Sequence, residues 1–141
     1  MRILGIDYGS KRLGLSVCDE LGITAQGLTT VVRRDMTRDL ERIAHYINEY
    51  GVEKIVVGYP VRLDGTEGIQ CEKVDRFTER LEVRFGLPVI KWDESLSTKE
   101  AERILIEADM SRKKRKKVVD KLAASIILQD YLDNASRTEK Q

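Results

Sequence analysis

The sequence predicts an α/β fold: a five-stranded mixed sheet, made of a three-strand antiparallel meander plus β-α-β crossovers, with helices packed on it. Three observations predict it. The first 32 residues hold three short apolar or Thr/Val-rich runs separated by Gly-containing turns. The apolar spacing then changes to a helical period. Two further short β-branched runs alternate with helical stretches.

Residues 2–7 form a nearly continuous apolar strand, residues 13–19 alternate weakly, and residues 24–32 are rich in Thr and Val behind Gly22. Tight connections between them imply a meander. In residues 37–50, Leu40, Ile43, Ala44, Ile47 and Tyr50 recur at helical spacing, and Gly51 is placed to end the helix. Residues 53–59 read as a compact strand closed by Pro60. Residues 69–85 place Val74, Phe77, Leu81 and Phe85 on one helical face, with Gly86 behind them. Residues 88–92 form the fifth strand and run into Asp93-Glu94. Ser97-Thr98-Lys99-Glu100 reads as a capping box for a helix carrying Ala101, Ile104, Leu105 and Ala108. A last helix, at about 118–133, turns Val119, Leu122, Ala123, Ile126, Ile127 and Tyr131 toward a core. With no internal repeat and no dividing linker, residues 1–135 are expected to form one domain, and 136–141 a frayed polar tail.

The composition narrows the function classes. Apolar residues make up 41% and charged residues 35% of the 141-residue chain, as in a globular protein with a heavily charged surface. No apolar run approaches the roughly 20 residues that cross a bilayer. The apolar stretch before Asp7 is too short for a signal peptide. Cys18 and Cys71 show no CxxC spacing, so reduced thiols and a cytoplasmic location are expected. The single histidine, His45, excludes multi-histidine metal sites. His45 and Trp92 read as a surface residue and a core residue.

The acids carry the first functional signal. Asp7 closes a buried strand, and an ionised group drawn toward a core is costly unless it is paired, hydrogen-bonded or bound to a metal. Gly9 and Gly14 beside it allow close approach of backbone or ligand. An Asp that merely starts a hairpin turn stays open on this segment alone. Asp93 and Glu94 end the fifth strand, and Asp120 lies in the first turn of the last helix. Ligands of open sheets bind beyond the carboxyl ends of parallel strands, so Asp7, Glu94 and Asp120 can share one edge. Ala123 and Ala124 would let the last helix sit close to the sheet there. Three oxygen donors without histidine or thiolate suit Mg²⁺ or Mn²⁺. Taken singly, each acid could instead start a turn or cap a helix.

The bases carry the second signal. Arg112, Lys113, Lys114, Arg115, Lys116 and Lys117 stand in a row, directly after a segment (93–111) of net charge −4. Mutual repulsion argues for a mobile loop. Such a run grips phosphate backbones without sequence preference. Its plain alternative is a solvated loop that aids solubility. Lys11 and Arg12 are further candidates for phosphate contacts.

Five ordered blocks resemble one family. They are Gly5-Ile6-Asp7-Tyr8-Gly9-Ser10-Lys11-Arg12-Leu13-Gly14, Val57-Gly58-Tyr59-Pro60, Leu63-Asp64-Gly65-Thr66-Glu67, Asp93-Glu94-Ser95-Leu96-Ser97-Thr98 and Val119-Asp120-Lys121-Leu122-Ala123-Ala124. Together they are similar to the YqgF/RuvX group of RNase H-like nucleases, described as Holliday junction resolvases and as nucleases for the 16S ribosomal RNA precursor. The resemblance implies an RNase H-like fold with Asp7, Glu94 and Asp120 as an acidic triad holding one or two divalent cations. It implies a partner that is an rRNA precursor or branched DNA, and, for a four-way junction, a homodimer. One position departs: the family usually has Arg after the Asp-Glu pair, and here Ser95 stands there, so any phosphate contact of that Arg falls to another base or is weakened.

Two other classes compete. Asp-x-Gly-[Ser/Thr] after an apolar strand also opens the phosphate loop of actin-like ATPases and sugar kinases, but those need two such domains, and no second phosphate loop is visible. A non-catalytic nucleic-acid-binding module would use the basic run and keep the acids as remnants; it would bind equally well in chelator and cut nothing.

Overall fold

The computed structural model describes residues 1–60, 68–93, 97–108 and 110–139, with side chains at all of these except 97–99, 116–117 and 136–139. The elements run β1 (Arg2–Tyr8), β2 (Arg12–Cys18), β3 (Ala25–Val32), α1 (Met36–Tyr50), β4 (Val52–Tyr59), α2 (Ile69–Phe85), β5 (Val89–Asp93), α3 (Ser97–Glu107) and α4 (Arg112–Glu139). They form one five-stranded sheet in the order β3-β2-β1-β4-β5. β1, β2 and β3 pair antiparallel, whereas β4 runs parallel to β1 and β5 parallel to β4. The expected meander and crossovers are therefore present.

Side chains of successive strand residues point to opposite faces, and that alternation divides the core. Leu4, Ile6, Leu13, Leu15, Ile55 and Val57 face α1 and α2, where they meet Leu40, Ile43, Val74, Phe77 and Leu81. Ile3, Cys18 and Val56 face the other way, against Ile127, Leu128, Tyr131 and Leu132 of α4. Helix α3 covers the outer side of α4 through Ala101, Leu105, Val119 and Ala123. The caps follow the sequence: Asp35 accepts from the Arg38 backbone N–H at 2.9 Å, and Gly51 and Gly86 end α1 and α2 in the left-handed conformation. Cys18 and Cys71 are buried free thiols. His45 is exposed beside Glu49, and half-buried Trp92 packs edge-on against Tyr131.

The basic run differs from expectation. It forms the first turns of α4 rather than a loop, so Asp120 lies in the third turn and not the first. The helix also continues past Asn134 to Glu139. Neighbouring helical residues point about 100° apart; Arg112, Lys113 and Lys114 are exposed, while half-buried Arg115 turns back onto the Met110 carbonyl. Like charges three or four apart cost only a few tenths of a kcal/mol per pair. Against that, Ser111 caps the helix, its Oγ accepting from the Lys114 N–H at 3.3 Å. Further along, Ile127 and Leu128 are fully buried, each contributing about 1.5–3 kcal/mol. Packing wins over repulsion.

Helix α4 approaches β1 and β2 closely. A Cβ at Gly14 would collide with the Asp120 carbonyl oxygen, and one at Gly5 would meet Leu128 Cβ at 2.8 Å. Fully buried Ser16, paired with Gly5 across the strands, donates its hydroxyl to the Ala124 carbonyl at 2.8 Å. Gln129 ties the same helix to the chain around β3, accepting from the Ala25 N–H and donating to the Ile23 carbonyl, both at 2.9 Å. Gly14→Ala should therefore lose about 3 kcal/mol, the upper end for overpacking, because backbone blocks the added methyl. Urea unfolding measures it, and a loss under about 0.5 kcal/mol would show that α4 can back away freely.

Candidate active site

The carboxyl ends of the three parallel strands lie side by side. Ile6 pairs with Val57, and Tyr59 with Asp93, so Asp7, Tyr59 and Asp93 reach the same end of the sheet. Asp7 shares a face with Ile3 and Gly5, the α4 face, and is buried at 8% exposure. Its cross-strand partner is Gly14, and the Asp120 backbone rests on that same glycine. The fold thus places Asp7 and the Asp120 backbone at one end of the α4 face. Glu94, with Ser95 and Leu96, lies outside the described residues, as does the block Leu63-Asp64-Gly65-Thr66-Glu67. Among the described residues, no three His, Cys, Asp or Glu side chains gather as a metal cluster.

Arg12, expected only as a phosphate contact, has a second role. Its Nε donates to Asp120 Oδ2 at 2.8 Å, while its side chain stays 44% exposed. Arg12 also lines a cleft of about 340 Å³ together with Arg112, Arg115, Glu102, Ile106 and Val119. Arg112 and Arg115 are one helical turn apart, so they share a side of α4. Arg115 is anchored by donating to the Met110 carbonyl at 2.9 Å. Three guanidinium groups and one carboxylate therefore surround the approach to Asp120. Lys113 and Lys114 are exposed, Lys11 is exposed in the β1–β2 turn, and the side chains of Lys116 and Lys117 lie outside those described.

A second ion pair was missed from sequence. Arg33 Nε donates to Asp39 Oδ2 at 3.1 Å, and its Nη1 donates to the Gly9 carbonyl at 3.2 Å. The guanidinium lies over the Tyr8 ring at 4.8 Å and the Phe77 ring at 5.8 Å. Asp39 is 1% exposed and also accepts from the Arg34 N–H. Burial pulls the Arg33 pKa down, but the hydrogen bonds to Tyr8 and Asp39 more than offset it, so the net shift is upward and the group stays charged. Arg33 thereby pins the turn that directly follows Asp7. The available signal was Asp39 itself, one residue before Leu40 and four before Ile43 on the buried stripe of α1.

The sequence matches, over residues 1–134, the profile of a family described as "RuvX: Holliday junction resolvase". The chain belongs to the RuvX family. Among its relatives is the "Putative pre-16S rRNA nuclease" of Syntrophus aciditrophicus, 62% identical over 97% of this chain and 91% of the relative. A protein of the same name from Geobacillus kaustophilus is 54% identical, covering 95% of this chain and 99% of the relative. In fold, the RuvX chain is similar to Thermus thermophilus RuvC solved with a Holliday junction substrate (TM-score 0.54, 18% identity, 96% of both chains). It is also similar to the fowlpox virus resolvase solved with Holliday junction DNA (TM-score 0.58, 15% identity, 96% and 99% covered). The RNase H-like fold implied by the five sequence blocks is thus the observed one.

Replacing Arg33 by Met leaves Asp39 buried without its counter-charge, which for such a pair costs about 3–5 kcal/mol. Arg33→Met/Asp39→Leu should recover part of that loss in urea unfolding. A single-variant cost below about 1 kcal/mol would mark the pair as no stronger than a surface bridge.

Proposed function

We propose that this RuvX chain is a divalent-metal-dependent endonuclease that hydrolyses phosphodiester bonds in structured nucleic acid, and that its substrate is the 16S rRNA precursor. The observation that carries the reading is the convergence of Asp7 and Asp120 on one end of the α4 face, beside the cleft of Arg12, Arg112 and Arg115. The names of the relatives support the substrate.

The donor set fits a hard cation. Asp7 and Asp120 offer only carboxylate oxygen, the ligand type Mg²⁺ and Mn²⁺ prefer. Glu94, directly after β5, would be the third ligand. A bound divalent ion supplies Lewis acidity, which lowers the pKa of a bound water and stabilises charge on the phosphate. The chain's own residues do the rest. Arg12 holds the Asp120 carboxylate in one orientation through its Nε and keeps the rest of its fork for a phosphate oxygen. Arg112 and Arg115 bind the flanking backbone, and would take over any phosphate contact that the family's usual Arg makes at the Ser95 position. Ser16 and the glycines of β1 and β2 keep α4, and with it Asp120, from shifting.

The family description supplies a second reading, resolution of four-way DNA junctions; for that substrate the chain would act as a homodimer. No helix among the described residues is long and apolar enough to cross a membrane. We place the protein in the cytoplasm, where Cys18 and Cys71 stay reduced.

A cleavage assay comparing a pre-16S rRNA end with a four-way DNA junction, with and without Mn²⁺, separates the substrates. Losing an outer partner of a metal ligand already costs about 10–100-fold, so Asp7→Asn should lower cleavage by more than about 100-fold without lowering the thermal midpoint. Full activity in Asp7→Asn, or equal cutting in chelator, would remove the metal-site reading and leave a binding module.

A further inference from the structure

On the opposite face of the sheet, α2 starts at this same end, runs back toward the other, and carries a feature that the proposed cleavage does not use. Lys73, Arg76, Arg80 and Arg84 recur on α2 at intervals of three and four residues. At roughly 100° per residue they fall within one sector of about 80°. The acids Glu72, Asp75, Glu79 and Glu82 occupy the neighbouring sector, and the buried face with Val74, Phe77 and Leu81 takes the third. Helix α2 is therefore sorted by charge sign. On the acidic flank, Asp75 accepts from Lys91 at 2.7 Å and from the Tyr59 hydroxyl at 3.2 Å, tying it to β4 and β5. The cationic flank is exposed, and among the described residues none of its four members makes an ion pair.

The cationic flank borders two adjoining hollows. One, of about 370 Å³, is lined by Tyr8, Phe77, Lys73, Arg76 and Arg80, with Glu79 its single acid. The other, of about 330 Å³, continues between α1 and α2 past Arg80 and Arg84. The two share Arg80 and together make a groove that starts at Tyr8, the residue after Asp7. Asp7 faces α4 whereas Tyr8 faces α2, so the groove begins at the candidate active site but on the other side of the sheet. From Lys73 to Arg84 the stripe is about 16 Å long, the axial length of roughly five base pairs. Unpaired guanidinium groups beside a half-buried tyrosine suit phosphates with an adjoining base. Four like charges on one face also disfavour a second copy of this chain docking there.

We infer that the α2 stripe of Lys73, Arg76, Arg80 and Arg84 is a second nucleic-acid-binding surface, which holds the arm of the substrate that leaves the active site past Tyr8. This rests on the nuclease reading for the identity of the ligand. The substrate would be gripped on both faces of the sheet, by Arg12, Arg112 and Arg115 on one side and by α2 on the other.

The test measures binding of a fluorescein-labelled RNA stem-loop with a single-stranded flank, in chelator, across a salt series. Each lost phosphate contact flattens the log K against log [salt] slope by about 0.7–0.9. Arg76→Gln/Arg80→Gln should flatten it by about 1.4–1.8 with circular dichroism unchanged. Arg2→Gln/Lys54→Gln, which removes equal charge from the other end of the sheet, should leave the slope as it is. An unchanged slope in Arg76→Gln/Arg80→Gln, or equal flattening in both pairs, overturns the inference. Cleavage by the unaltered protein is scored separately. Flattening without any cleavage would sink the nuclease reading and keep the α2 surface. Cleavage with an unmoved slope would do the reverse.

Discussion

Helix α4 can lie on the sheet only because β1 and β2 offer it no side chains at Gly5 and Gly14. The position of Asp120 beside the end of β1 depends on that approach. The helix is held by three kinds of contact at once: the apolar cluster around Ile127 and Leu128, the Ser16 hydroxyl on a helix carbonyl, and the Gln129 amide around β3. Each alone is worth about 1–3 kcal/mol. Together they fix the height and rotation of the helix. An acid carried on α4 is then placed as firmly as one on a strand, which is what a shared ligand site between distant parts of a chain needs.

Two arginine–aspartate pairs flank the turn between β1 and β2, and their surroundings give them different work. Arg12–Asp120 is partly open to water, so the pair is worth little to stability and can rearrange cheaply around a ligand. Arg12 balances the charge of Asp120 through its Nε, and the exposed remainder of its fork faces solvent. Arg33–Asp39 is buried under the rings of Tyr8 and Phe77. Breaking it would strand a charge in low dielectric, so it acts as a fixed clamp. Only the exposed pair suits contact with a substrate, and only the buried one suits holding the Gly9 turn still.

Most of the fold was legible because its signals are local. The five strands follow from apolar runs bounded by turns, and the ends of α1 and α2 follow from Gly51 and Gly86. The close approach of α4 to the sheet beside Gly14 was also legible, from that glycine and from Ala123-Ala124. The start of α4 was not. Charge repulsion between Arg112 and Lys117 is a local penalty, whereas the burial that overrides it lies two and more turns further along the same helix. Arg33 escaped because its partners, Tyr8-Gly9, Asp39 and Phe77, come from three separate segments, and no spacing in the sequence connects them. The basic stripe of α2 was written in the sequence at helical intervals, but the apolar face of the same helix drew the reading toward the core.

Strand alternation gives the last step. Asp7 and Tyr8 are neighbours in the chain, yet the pleat sends them to opposite faces of the sheet. A ligand that touches both must pass over the end of β1, across the turn that Arg33 holds against Asp39. A straight, stiff duplex lying on one face meets only one set of cations. A nucleic acid with a flexible joint, such as a single strand leaving a stem or the crossover of a branched structure, can bend over the end and meet both. If the proposed surfaces act together, the same short turn ties the position of the Asp7 backbone to the path of the substrate, and shape rather than base sequence is what this end of the molecule would read.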